Sequence, residues 1–111
     1  MNVYAIAAAA ESAVSNTPDR PAASLIHDHD DGRLVVFRIE PGQRVPVHTS
    51  TSSVFLTVIS GTGFVSGAAG EERAVGPGEV IAFLPDEPHG MRAETERFVL
   101  TALIAPRPAA R

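Results

Sequence analysis

Apolar and polar residues alternate in short runs along most of this chain, and short alternating runs bounded by turn residues are the signature of half-buried β-strands. From Ser24 onward the runs are Ser24–His27, Arg33–Ile39, Arg44–Thr49, Val54–Ser60, Phe64–Ser66, Glu72–Val75, Val80–Leu84, His89–Ala93 and Arg97–Ala105. Turn chemistry separates them: Asp30-Asp31-Gly32, Glu40-Pro41-Gly42, Gly61-Thr62-Gly63, Ala69-Gly70-Glu71 and Gly76-Pro77-Gly78. In Glu40-Pro41-Gly42, Pro presets φ and the following Gly accepts a positive φ, as a type II turn requires. No helix-forming stretch lies between these runs to carry a parallel crossover, so the strands pair antiparallel. The pattern predicts an all-β fold, a barrel or sandwich.

Two segments depart from the alternation. Val3 to Ser15 is rich in helix formers and poor in aromatics, and Asn16-Thr17-Pro18-Asp19 ends it, which predicts a short N-terminal helix or arm. The last run, Phe98 to Ile104, is almost continuously apolar, which predicts a strand covered on both faces, by the arm or by a second subunit. The resulting organisation is an arm over 1–23, a β domain over 24–105, and an extended, mobile tail over 106–111.

Composition narrows the chemistry. A chain of 111 residues with 44% hydrophobic content can build a core without disulfides. The absence of cysteine removes disulfides, thiolate zinc sites and cysteine nucleophiles. A net charge of −4 argues against nucleic acid, whose phosphates need a basic face, and leaves a small molecule or another protein as partner. The alanine run Ala7 to Ala10 superficially resembles a signal peptide. No Lys or Arg precedes it, Arg20 being the first basic residue, so a cytoplasmic protein is expected. Nothing approaches the ~20 apolar residues of a membrane span.

Alternation sorts the side chains by face. In the run from Arg44 to Ser50, the residues Arg44, Pro46, His48 and Ser50 are expected on one side, and Met91 shares a face with His89. Pro41-Gly42-Gln43-Arg44-Val45-Pro46-Val47-His48-Thr49-Ser50, continued by Val54 to Gly61, resembles the first sequence motif of the cupins, with Gly42, His48 and Gly61 at the family's Gly, first His and closing Gly. Gly76 to Gly90 is similar to the second motif: Gly78 and His89 keep its spacing, Pro85 falls one place late, and Asp86 stands where a Gly is usual. The resemblance spans about residues 24 to 105 and implies a small single-domain cupin of the conserved-barrel type, an antiparallel jelly-roll β-barrel.

Cupins that hold iron, manganese, nickel, zinc or copper do so with two His and a Glu from the first motif and one His from the second. Here Ser50 occupies the second His position and Val54 the Glu position, so His48 and His89 are the retained members. Valine removes a negative charge and serine is a poor ligand, which leaves a vestigial or open two-histidine site.

The remaining constellations read as structure. His27-Asp28-His29-Asp30-Asp31 sits at a hairpin turn, Asp86 and Glu87 in a Pro-bounded loop, and Thr49 to Ser53 in a Ser/Thr loop with no Ser–His–Asp order. Gly61-Thr62-Gly63 precedes no helix and is no phosphate cradle. The expectation is a small-molecule-binding pocket formed by Arg44, His48, Ser50, Val54, Leu56, Phe83, His89 and Met91, with Val58 also against the ligand and Arg44 favouring an anionic one. One alternative is a metal-dependent oxygenase or isomerase using His48, His89 and a third ligand. The other is a structural homodimer without ligand.

Overall fold

The computed structural model describes residues 1–108. All nine predicted runs form strands: β1 (Ala22–His29), β2 (Gly32–Ile39), β3 (Arg44–His48), β4 (Ser53–Ser60), β5 (Gly63–Ser66), β6 (Glu72–Val75), β7 (Val80–Phe83), β8 (His89–Arg92) and β9 (Phe98–Ala105). Five pair in the order β1-β2-β9-β4-β7 and four in the order β3-β8-β5-β6, every pair antiparallel. The chain crosses repeatedly from one sheet to the other, so strands distant in sequence, such as β2 and β9, become neighbours. The result is the flattened barrel of a jelly roll.

The period of two decides which side chains form the core. On β9, Phe98, Leu100 and Ala102 enter the space between the sheets, where they meet Ile39 of β2 and Val54, Leu56 and Val58 of β4. Phe98, Ile39, Leu56 and Leu100 are essentially inaccessible to solvent, and burying each contributes about 1.5–3 kcal/mol. Close packing here depends on Gly63, since a methyl group at that position would run into the Phe98 ring.

The odd positions of β9 face outward, and the N-terminal segment covers part of them. The helix α1 (Ile6–Ser12) is shorter than the segment Val3 to Ser15, because Ala13 turns extended at φ −62°, ψ 146°. So short a helix is marginal alone. It is held by tertiary contacts: Ala10 packs on Val36 and Val99, flanked by Ile6, Ala9 and Ile26. Arg38 Nη1 donates to the Ala10 and Glu11 carbonyls at 2.8 and 3.0 Å, satisfying groups the last turn leaves open. The arm therefore covers Val99, while Leu103 and Phe55 further along the same face stay exposed.

At the other end, the expected extended tail is docked as far as it is described. The Ser52 hydroxyl donates to the Pro106 carbonyl at 2.6 Å, and Arg107 Nε donates to Asp28 Oδ1 at 2.7 Å. Residues 109–111 lie outside the described part. Arg107 is drawn onto the β1–β2 hairpin by its acidic sequence: Asp28 is shared with Arg33, and its carboxyl is held down to about 2, first by the Arg107 hydrogen bond.

Candidate functional site

The site grows from the pairing of β3 with β8. Val45 lies opposite Met91 and His48 opposite His89, so Pro46 and Val47 on β3 face the single residue Gly90 on β8, and the register shifts between Val45 and His48. This bulge breaks the alternation. Val45 packs against the core, and His48, three residues on, also turns to the interior cavity. Arg44 does not share that face. It lies opposite Arg92 in a separate surface depression with Ser66 and Glu72. Gly90 allows the strands this close, because a Cβ there would stand 2.9 Å from the Val45 carbonyl oxygen and 3.1 Å from the Val47 nitrogen.

The two imidazoles are held alike. His48 Nδ1 lies 2.9 Å from the Pro46 carbonyl oxygen, and His89 Nδ1 lies 2.9 Å from that of Glu87. A carbonyl only accepts, so each Nδ1 carries the proton that it donates, and in the neutral ring each Nε2 keeps a free lone pair. The ring centroids are 4.4 Å apart, tilted by 57°, and His89 also stacks on Phe83 at 4.8 Å. His89 is 3% exposed, and burial holds its pKa below the ordinary 6.5; the Glu87 carbonyl opposes this and a charge on His48 adds to it. Among the described residues, the one side-chain nitrogen or oxygen that is sealed from solvent without a hydrogen bond is Arg38 Nε, which has the Glu40 carboxylate at 3.6 Å. His89 Nε2 has no protein hydrogen bond among those residues, and its side chain lines the interior cavity.

A short loop locks His89 to Ser50. Asp86 adopts a left-handed backbone, φ 66°, which Asp tolerates better than most residues, and its N–H donates to the Ser50 carbonyl at 2.7 Å. The Glu87 carboxylate accepts from the Leu84 N–H at 2.9 Å and closes the turn. Ser50 Oγ accepts from the Ser52 N–H at 3.1 Å, which leaves its hydroxyl proton to donate elsewhere.

These groups border a cavity of about 60 Å³ whose remaining wall is Phe37, Val54, Leu56, Met91, Ala102 and Ile104. Of the residues singled out from sequence, the cavity brings together His48, Ser50, Val54, Leu56, His89 and Met91. Phe83 backs His89, Val58 belongs to the core, and Arg44 lies outside. Phe37, Ala102 and Ile104 were not expected to line it. Alternation along β2 and β9 puts them on the inward face, but only the crossing of the two sheets reveals that this face meets the histidines. Outside, His48 also borders a shallow depression of about 300 Å³ with Arg20, Val45, Pro46 and Val47.

As a metal centre the residues present do not fit. Two imidazoles with free Nε2 atoms and backbone-bound Nδ1–H groups are oriented as metal ligands are. Val54 nevertheless puts an alkyl wall where a carboxylate would be needed, and no group of three or more His, Asp or Glu side chains is arranged to hold an ion among the described residues. The hairpin cluster is likewise engaged elsewhere: the Tyr4 hydroxyl lies 3.0 Å from His27 Nδ1, and His27 Nε2 lies 3.3 Å from Asp31. Asp86 and Glu87 are exposed loop residues.

Two crossing antiparallel sheets and a histidine pair at the mouth between them define a jelly-roll domain with an interior pocket. The chain belongs to the cupins: residues 35–105 match the family described as Cupin domain. Solved structures agree. A conserved protein with a double-stranded β-helix domain from Klebsiella pneumoniae superposes with a TM-score of 0.83 at 22% identity, over 96% of this chain and 90% of that one. An RmlC-like cupin from Desulfovibrio desulfuricans gives 0.76 at 28% identity, over 86% and 92%. KdgF from a Halomonas species gives 0.76 at 20% identity, over 86% and 88%. A search of curated proteins finds no match to the chain. Among the described residues no helix is long and apolar enough to cross a membrane.

Proposed function

We propose that this cupin binds a small organic molecule in the cavity between its sheets, with His48 and His89 as polar anchors. The observation that carries the reading is the matched tautomer of the two histidines, each fixed by a backbone carbonyl so that its Nε2 lone pair is left free beside one apolar cavity. An apolar wall with a few convergent polar groups is the usual composition of a ligand pocket. A metal-dependent oxygenase or isomerase is the weaker reading, because open metal sites keep three protein ligands and this pocket offers two imidazoles. The homodimer rests on the outer face of β9, β4 and β7, where Leu103, Phe55 and Val80 are exposed because α1 ends its cover near Val99. Light scattering tests it, a dimer being expected.

The pocket reading is tested by an NMR titration of isotope-labelled protein with a library of very small organic molecules. Binders should perturb His48, Ser50, His89 and Met91 together, and the perturbation should vanish in Ala102→Leu, which fills the cavity and keeps both histidines. Perturbations that fall elsewhere, or that survive in Ala102→Leu, contradict the proposal.

A further inference from the structure

The cavity also specifies the kind of molecule it takes. From its size and polarity we infer that the ligand is an uncharged primary amide on a short apolar tail, an inference that rests on the pocket reading above.

Size comes first. One water needs about 10–15 Å³ of such space, so a cavity of about 60 Å³ holds about four to six non-hydrogen atoms without rearrangement. A six-membered aromatic ring is too large, an engineered cavity that accepts benzene being about 150 Å³. Larger molecules would have to extend past His48 into the outer depression.

Charge comes second. Among the described residues no Arg lines the cavity: Arg44 belongs to the depression with Glu72, and Arg20 to the outer surface. A carboxylate would enter an apolar space with no fixed cation, facing two nitrogen lone pairs that repel it, and burying an uncompensated charge is heavily penalised. A neutral ligand avoids both costs.

The donor pattern comes third. Two Nε2 atoms accept, and the Ser50 hydroxyl is free to donate, because its oxygen already accepts from the Ser52 N–H. A primary amide is complementary to this set. Its NH₂ carries two donors for the two imidazoles, and its carbonyl accepts from Ser50, while a chain of two or three carbons rests against Leu56, Met91 and Ala102. An alcohol of the same size has one donor and leaves one Nε2 unmatched.

The test compares propionamide with propionate, which has the same number of non-hydrogen atoms, by chemical-shift titration at pH 8. Propionamide should bind at least about tenfold more tightly and perturb His48, His89 and Ser50, and 1-propanol should fall between them. Hexanamide should bind more weakly than propionamide. Propionate binding as tightly as propionamide overturns the ligand class but leaves the pocket reading intact, as does silence of all three small probes. Propionamide binding unchanged in Ala102→Leu sinks the pocket reading itself; should that variant misfold, Ala102→Val, with a smaller loss expected, serves the same purpose.

Discussion

His48 and His89 lie opposite each other on β3 and β8 with their rings 4.4 Å apart, and each donates its Nδ1–H to the carbonyl of the residue two places before it. Neither ring can turn without losing that bond. The pair therefore presents two nitrogen acceptors of fixed direction, and at this separation a charge on His48 opposes protonation of His89.

Burial of His89, with that opposition added to it, gives a pH dependence. Above pH 6.5 both folded and unfolded chains keep His89 neutral, and it contributes no slope. As pH falls from 6.5 toward the lower value of the folded state, the unfolded chain takes the proton first and stability declines; below the folded value the loss is complete. Denaturant melts between pH 5 and 8 should show stability falling over this window in the native protein and falling less in His89→Phe.

The two departures from the family's ligand set, Ser50 and Val54, should be reversible. Val54 is buried, so Val54→Glu alone places a carboxylate beside an apolar wall and should destabilise the fold by about 1–3 kcal/mol. Combined with Ser50→His it completes a set of three histidines and one carboxylate. Calorimetric titration with cobalt or zinc should give tight one-to-one binding and a raised Tm for the double variant, and no stoichiometric tight binding for the native sequence.

Much of the fold was legible because turn chemistry and alternation agreed at each junction. Glu40-Pro41-Gly42 and Gly76-Pro77-Gly78 punctuate the strands, Gly42 and Gly78 both adopt positive φ, and all nine strands fall within a few residues of the expected runs. The pocket was legible in part. His48, Ser50, Val54, Leu56, His89 and Met91 were identifiable from motif position and period, whereas Arg44 was misplaced because strict alternation does not survive the bulge at Pro46 and Val47. Pro46 is the local mark, but a strand proline fits an edge strand as well as a bulge, and the choice depends on how β3 registers against β8. Phe37, Ala102 and Ile104 were hidden for a related reason, since strand order across the sheets is a long-range property.

Gly90 is predicted to be intolerant of any side chain. A methyl group would stand 2.9 Å from the Val45 carbonyl oxygen and must push β3 off β8, so Gly90→Ala should cost about 1–3 kcal/mol in urea melts and shift the resonances of both His48 and His89.

Arg107 should control the titration of Asp28. With the native tail docked, the carboxyl titrates at about 2, and the stabilisation is fully present above 3.8 and lost as pH falls through about 2. In Arg107→Ala the hydrogen bond that lowers this carboxyl most is gone, while Arg33 remains at 3.0 Å, so carboxyl NMR should find Asp28 raised part of the way toward 3.8.

The account stands on the two free Nε2 lone pairs, and a long-range proton–nitrogen correlation spectrum of the histidine side chains at pH 8 observes them directly. His48 and His89 should both appear as neutral rings protonated at Nδ1, with Nε2 at the position of an unprotonated nitrogen. A proton on Nε2 of either ring, or a metal-bound nitrogen in the protein as purified, would contradict it.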